Sequence, residues 1–370
     1  MPTVLSVVGA RPNFMKVGPV HRALVARGAR SVVVHTGQHY DERMSAVFFR
    51  DLELPEPAHY LGVGGGSHAE QTARVMLAFE PVLEAVAPDA VVVVGDVNST
   101  LAAGLVAAKR HVPLAHVEAG LRSGDRAMPE EQNRICVDHL ADRLYVTEQS
   151  WLDNLVREGI PADRVAFVGN VMIDTLRRHE AAARQRPLAA PVEPGGYALV
   201  TMHRPRNVDR PEPLATVVEI VEVLADRLPV VLPLHPRTRQ RLADSGLLAR
   251  LEAAPRVHLI PPQGYLDFIG LQARAAAVVT DSGGIQEETT ALGVPCLTLR
   301  PSTERPSTVE IGTNTLLPLA PEAVAAAVDA VLAGEARRGE TPPLWDGRAG
   351  ERIADDLLGW LAGRDQERGA

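Results

Sequence analysis

The chain has 370 residues, 46% of them apolar and 23% charged, with a formal net charge of −8. That length is long for a single hydrophobic core and comfortable for two. The negative balance argues against a general nucleic-acid binder, which needs a basic face, but leaves room for a local cationic pocket that takes a small anion. No stretch approaches the roughly 18 uninterrupted apolar residues of a membrane span. The opening "MPTVLSVVGARP" has no basic segment followed by a cleavage site and reads as a first strand, so a cytoplasmic protein without a membrane partner is expected. Cys136 and Cys296 stand far apart and outside any metal-type spacing, which predicts two buried free thiols and no metal site.

In chain order, "TVLSVV", "SVVVHT", "AVVVVGD", "PLAHVE", "RLYVTE" and "RVAFVGN" read as strands. "MKVGPVHRALVAR", "HAEQTARVMLAFEPVLEAVA", "TLAAGLVAAKR" and "EQNRICVDHLADR" read as the helices that alternate with them. Continuous apolar strands are the mark of a parallel sheet covered on both faces, so the series predicts a doubly wound α/β domain over 1–184. The segment "RHEAAARQRPLAAPVEPGG" reads as a charged helix end running into a Pro/Gly-rich link. A second βαβ series follows over 185–345, with strands "YALVTM", "LPVVLPLH", "RVHLIP", "AAVVTDS", "PCLTL" and "TNTLLP". Its helices are expected at Pro213–Arg227, Arg237–Ala253, Tyr265–Ala273 and Ile285–Leu292. The tail, 346–370, has a helical apolar face that is expected to pack back on the first domain. Two such domains in tandem predict a cleft at the carboxyl ends of both sheets, where this class binds ligands.

The loops past those strand ends hold a polar set. "GARPNFMK" supplies Gly9, Arg11 and Lys16 at a strand-to-helix turn that suits an anion. "VGDVNST" supplies Asp96, which also suits the cap of the following helix. "HVEAGLRSGDRAMPEEQNR" carries Glu118, Arg122, Arg126, Glu130 and Glu131. Glu118 at the end of an apolar strand needs a partner or a job, and an ion pair with Arg122 or Arg126 would provide one. Glu130 and Glu131 follow Pro129 and suit a first helical turn, where the dipole favours each by about 0.3–1 kcal/mol. In the second series, "TMHRPRNVD" places His203 and Arg204 after one strand and "PLHPRTR" places His235 and Arg237 after the next. "TDSGGIQEE" is the strongest local signal: Ser282, Gly283 and Gly284 open a helix whose bare amides can close on a phosphate, and Glu288 could reach back to a ribose diol. Nucleotide on the second domain and sugar on the first is the division this predicts.

Together these strings resemble the non-hydrolysing UDP-N-acetylglucosamine 2-epimerases. The match runs from "GARPNFMK" through "TGQHYDERMS", "GDVNSTLAA", "HVEAGLRSGD…MPEEQNR", "GNVMIDTL", "MHR", "PLHPRTR" and "GYLDF" to "TDSGGIQEE…GVPCLTLRPSTERP", most of residues 4 to 318. The resemblance implies two Rossmann-like domains arranged as in glycosyltransferases of the B fold, a homodimer, a UDP-sugar substrate and no cofactor. It implies catalytic roles for Asp96, Glu118, Glu130 and His203. Arg11 and Lys16 would face the diphosphate, with Arg122 as a positioning partner. Gln263 and Phe268 would hold the uracil, Ser282, Gly283 and Gly284 the phosphate, Glu288 the ribose, and Arg305 would complete the site. In this family a base removes the C2 proton as UDP leaves C1, and UDP adds back to the glycal with protonation from the other face. Closure of the domains would exclude water meanwhile.

Two departures stand out. Many members carry a Glu shortly after the His-Arg pair; here the string is "HRPRN", with Arg206. The stretch "GQHYDERMSAVFFRDLELPEP…LGVGGGSHAEQTARV" is similar to the branch that acts on UDP-2,3-diacetamido-glucuronate, whereas "ERPSTVEIGTN" is closer to the UDP-N-acetylglucosamine enzymes. The alternatives are therefore a 2,3-diacetamido uronate epimerase, with Arg126 the candidate cation for the sugar C6, a hydrolysing epimerase, and, from another class, a B-fold glycosyltransferase.

Overall fold

The computed structural model describes residues 1–37, 52–54 and 56–369. The 38–45 part of the "TGQHYDERMS" motif and the side chain of Arg11 lie outside the described residues. The chain divides into two compact units, Met1–Arg178 with Pro343–Ala370, and His179–Pro342.

The first unit is built on seven strands: β1 (Thr3–Val8), β2 (Arg30–His35), β3 (His59–Tyr60), β4 (Ala90–Val94), β5 (Leu114–Val117), β6 (Arg143–Val146) and β7 (Val165–Phe167). They pair in parallel in the order β3-β2-β1-β4-β5-β6-β7. The order reverses at β1/β4, which is where a doubly wound sheet opens a crevice at its carboxyl edge. Val91, Val92, Val93 and Val94 of β4 are wholly buried, as an unbroken Val run in a sheet covered on both faces must be. The second unit repeats the plan with β8 (Ala198–Thr201), β9 (Val230–Pro233), β10 (Val257–Ile260), β11 (Ala277–Thr280), β12 (Cys296–Leu299) and β13 (Asn314–Leu317). Its order is β10-β9-β8-β11-β12-β13, so its own switch point lies at β8/β11.

The last helix, Ala349–Gly369, belongs to the first unit although it ends the chain. Asp174 caps it by accepting the Ala349 and Gly350 amides at 3.0 and 2.7 Å. Arg27 reaches across to Asp355, and Arg143 and Tyr145 to Asp356, so the helix is also held by charge. Burial pushes the Asp174 carboxyl up to about 6 despite those two amides.

Two local expectations need correction. The single helix expected over Arg237–Ala253 is two, Pro236–Asp244 and Leu248–Ala253. The break falls at Gly246, whose φ of +70° no continuing helix accommodates. Of the cysteines only Cys296 is buried; Cys136 faces solvent from helix Pro129–Leu140. Among the described residues no helix is long and apolar enough to cross a membrane, and no group of three His, Cys, Asp or Glu is placed to hold a metal.

Candidate active site

At the β1/β4 switch point the chain leaves β1 through Gly9 and Ala10 and turns at once into helix Arg11–Ala26. Asn13 shapes that turn. Its Oδ1 accepts the Gly9 and Ala10 amides at 3.1 and 2.8 Å, and its Nδ2 donates to the Val94 carbonyl at 3.1 Å. The loop after β1 is thereby tied to the end of β4, and Lys16, one turn further along the helix, is carried over Gly95. Lys16 forms an ion pair with Glu118, and both side chains are about 10% exposed. Gly95 (φ +66°) is required beneath them. A Cβ there would lie 3.2 Å from both Glu118 Oε2 and Lys16 Nζ, in a backbone region that L residues avoid.

Glu118 is itself left-handed, with φ of +70°. A side chain held in that region costs on the order of 1–3 kcal/mol and persists only where its surroundings over-determine it. They do so here. The Glu118 and Ala119 amides both donate to the Tyr145 carbonyl at 3.1 Å. The strain turns the chain sharply out of β5 and delivers the carboxylate to the end of β4.

Asp96 meets the same centre through Arg134, whose Nε and Nη2 lie 3.0 and 2.5 Å from Asp96 Oδ2. Arg134 Nη1 bonds Glu131 at 2.9 Å, and Asn133 donates to the Asp96 carbonyl at 2.8 Å. Burial would lower the Arg134 guanidinium, but Asp96, Glu131 and Glu118 outweigh it and raise it. Arg134 was not among the expected site residues. Its spacing after Glu130 and Glu131 was visible, but its partner Asp96 lies in the loop past β4. Asp96 was also considered as a helix cap; the cap position is held by Val97.

The acidic stretch separates in ways its spacing does not disclose. Glu131, read as a helix-start charge, is buried and accepts the Ser123 and Gly124 amides at 2.9 Å each, so it folds the 118–128 loop. Burial would raise its carboxyl; those amides and Arg134 hold it below the usual range. Arg122, expected as a substrate-positioning partner, pairs with Asp138 at 2.8 Å and Glu158 at 2.7 Å. It braces helix Pro129–Leu140 and the end of helix Gln149–Arg157, and the Glu118 pair expected for it belongs to Lys16. Glu130 is half-buried in the first turn of helix Pro129–Leu140, and Arg126 is exposed.

In the second unit, the β8/β11 switch point gathers a second set. Buried Asp281 accepts the His203 and Arg204 amides, at 3.2 and 2.9 Å, and Asn207 Nδ2 at 2.9 Å. His203 Nδ1 lies 3.1 Å from Asp281, with the imidazole itself more than half exposed. Burial would raise Asp281, but His203, the Arg204 amide and Asn207 hold it low. After β11, Ser282 stands at the cap position of helix Gly283–Leu292 without a side-chain cap bond, so its hydroxyl does not take up the first-turn amides. Arg305 lies against Gly283, where an added Cβ would come within 2.6 Å of its Nη1. Glu287 and Glu304 orient that guanidinium at 3.1 and 3.6 Å. Bare amides, a fixed Arg and an exposed His suit an oxyanion such as a diphosphate.

Gln263 is half-buried and donates to the Pro261 carbonyl at 2.6 Å; Phe268 is partly buried against the apolar cluster around Tyr197 and Leu271. Glu288, expected at the ribose, is 5% exposed and accepts Gln272 Nε2 at 2.7 Å. Its position, the sixth in the helix, turns it inward, and burial pushes its carboxyl up to about 7.

The family model for UDP-N-acetylglucosamine 2-epimerase matches residues 22–358. The chain belongs to this epimerase family. A UDP-N-acetylglucosamine 2-epimerase of Methanocaldococcus jannaschii is 41% identical over 94% of this chain and 96% of its own. A UDP-2,3-diacetamido-2,3-dideoxy-D-glucuronate 2-epimerase of Pseudomonas aeruginosa is 40% identical over 96% and 99%. The crystal structure of the M. jannaschii enzyme, in complex with UDP-GlcNAc and UDP, superposes with a TM-score of 0.87, at 39% identity over 96% and 99% of the two chains. The chain is thus an isomerase by family, and members that act on different sugars stand at nearly equal identity to it.

Proposed function

We propose that this protein interconverts UDP-N-acetylglucosamine and UDP-N-acetylmannosamine by elimination of UDP and its re-addition. The observation that best supports the reading is the convergence of Lys16, Asp96 and Glu118 at the β1/β4 switch point, with a strained backbone spent on placing one carboxylate. The C2 hydrogen beside an acetamido group is too weakly acidic for simple deprotonation. A carboxylate therefore takes that proton while the C1–O bond to UDP breaks, leaving 2-acetamidoglucal and UDP. In the return step UDP oxygen adds to C1 and a carboxylic acid delivers a proton to C2 from the opposite face. Asp96, Glu118 and Glu130 supply acid and base. In the second unit, Arg305, His203 and the Ser282–Gly284 amides suit the charge of the departing diphosphate. A homodimer and a cytoplasmic location belong to the same reading.

The 2,3-diacetamido uronate branch is the second reading, favoured by the 40% identity to the Pseudomonas aeruginosa enzyme. One experiment separates the possibilities. Each UDP-sugar is incubated with the protein in deuterated water and followed by proton NMR. The first reading requires UDP-N-acetylmannosamine with deuterium at C2. Turnover of the uronate substrate alone selects the second, free N-acetylmannosamine marks a hydrolysing enzyme, and absence of deuterium at C2 defeats the elimination mechanism.

A further inference from the structure

Asp138 stands in helix Pro129–Leu140 with no exposed surface, and three donors converge on it. His116 Nδ1 lies 2.6 Å from Oδ1, while the Gly120 amide and Arg122 Nη1 reach Oδ2 at 3.0 and 2.8 Å. His116 and Gly120 are two residues before and two residues after Glu118, the left-handed residue that presents its carboxylate to Lys16. One buried carboxylate therefore clamps the backbone on both sides of the strained position. The other ring nitrogen of His116, Nε2, lies 2.9 Å from the Gly95 carbonyl. Gly95 is the residue over which Lys16 and Glu118 meet, and its carbonyl precedes Asp96 directly.

A carbonyl cannot donate, so the hydrogen between His116 and Gly95 sits on Nε2. Burial would raise Asp138, but His116 and Arg122 hold it below the usual carboxylate range. The imidazole thus bridges the end of β4 to helix Pro129–Leu140, with Nδ1 against Asp138 and Nε2 against the Gly95 carbonyl.

We propose that Asp138 and His116 are positioning residues for the epimerase reaction, setting Glu118 and Asp96 at the spacing proton transfer needs. The inference rests on the activity proposed above. It adds two residues that touch neither the Lys16–Glu118 pair nor Asp96 by side chain. A misplacement of about 1 Å at a reacting group can cost about 100-fold in rate, which is the scale expected when the tie is cut.

The test uses Asp138→Asn and His116→Asn in the full chain. His116→Asn keeps an amide nitrogen in the place of Nδ1, so Asp138 stays paired, and deletes only the donor to Gly95. It carries the test if Asp138→Asn does not fold. Expected is a fall in kcat of about 10- to 100-fold, with KM and UDP affinity within threefold of wild type, turnover being counted per UDP-binding site. A larger isotope effect with substrate deuterated at C2 should accompany it, because misplaced carboxylates slow the proton-transfer step. His116→Gln, which keeps a nitrogen in the place of Nε2, should recover part of the loss. Unchanged kcat per binding site in both Asn variants overturns the proposal, as does a loss that follows only the folded fraction. An arm independent of activity keeps its failure distinct from that of the proposed reaction. In a crystal structure of either Asn variant, Glu118 should leave its positive φ or the Gly95 carbonyl should turn; if neither moves, the clamp is refuted even should the wild-type protein epimerise nothing.

Discussion

Glu118 allows backbone strain and chemistry to be separated in one experiment. Glu118→Gly and Glu118→Ala both remove the carboxylate and both leave Lys16 without its partner, so they differ only at the backbone. With φ of +70° at this position, alanine bears the left-handed penalty of about 1–2 kcal/mol. Glycine escapes it but loses about 0.5–1 kcal/mol to the greater freedom of its unfolded chain. The difference should leave the Gly variant more stable by about 0.5–1 kcal/mol, or about 1–4 °C in melting temperature for a unit of this size. Calorimetry or thermal circular dichroism reads that difference directly. Turnover of UDP-N-acetylglucosamine, followed by NMR, should fall by about 10²–10⁴ in both variants, the range associated with loss of a positioned acid or base. UDP binding should persist in each. An Ala variant as stable as the Gly variant would refute the strain at 118, and a Gly variant that still turns over would refute the assignment of its carboxylate.

Other perturbations probe separate parts of the molecule. Gly283→Ala puts a methyl group 2.6 Å from Arg305 Nη1, so the guanidinium must shift from the place Glu287 and Glu304 hold it in. Calorimetric titration with UDP should show affinity reduced by about tenfold, roughly 1.4 kcal/mol, with little change in melting temperature. Glu304 is held down at about 2: burial would raise it, but Arg300 and Arg305 prevail. Its folded pKa lies below its unfolded value, so its contribution is present above the ordinary Glu range and lost as pH falls towards 2. Urea midpoints should decline over that window in the wild type and decline less in Glu304→Gln; parallel curves would refute the assignment. Asp174→Ala strips the cap from helix Ala349–Gly369 and leaves two buried amides unpaired. A loss of about 1–3 kcal/mol is expected, with limited proteolysis releasing the tail first; unchanged protection of the tail would contradict the capping role.

The strands and their parallel pairing were legible because uninterrupted Val, Leu and Ala runs have no other stable home than a sheet covered on both faces. The Ser282-Gly283-Gly284 turn was legible for a related reason, since its chemistry lies in the backbone of consecutive residues. The order and spacing of the strings also carried the family, without any knowledge of contacts. What the sequence by itself left open was the identity of each charge's partner. Arg122 and Arg126 were the partners its stretch offered to Glu118, yet it pairs with Lys16, a choice that depends on which strand ends the sheet order brings together. Glu130 and Glu131 are adjacent in the chain, yet a helix separates neighbours by about 100° of rotation, and the buried one organises a loop. Arg134, Asn13, Asp138 and His116 act through carbonyls and carboxylates on other elements, at separations of 21 to 81 residues. Local chemistry was written in the sequence; the pairing of buried charges was decided only by tertiary structure, because a charge taken out of water is tolerated where folding delivers a partner to it.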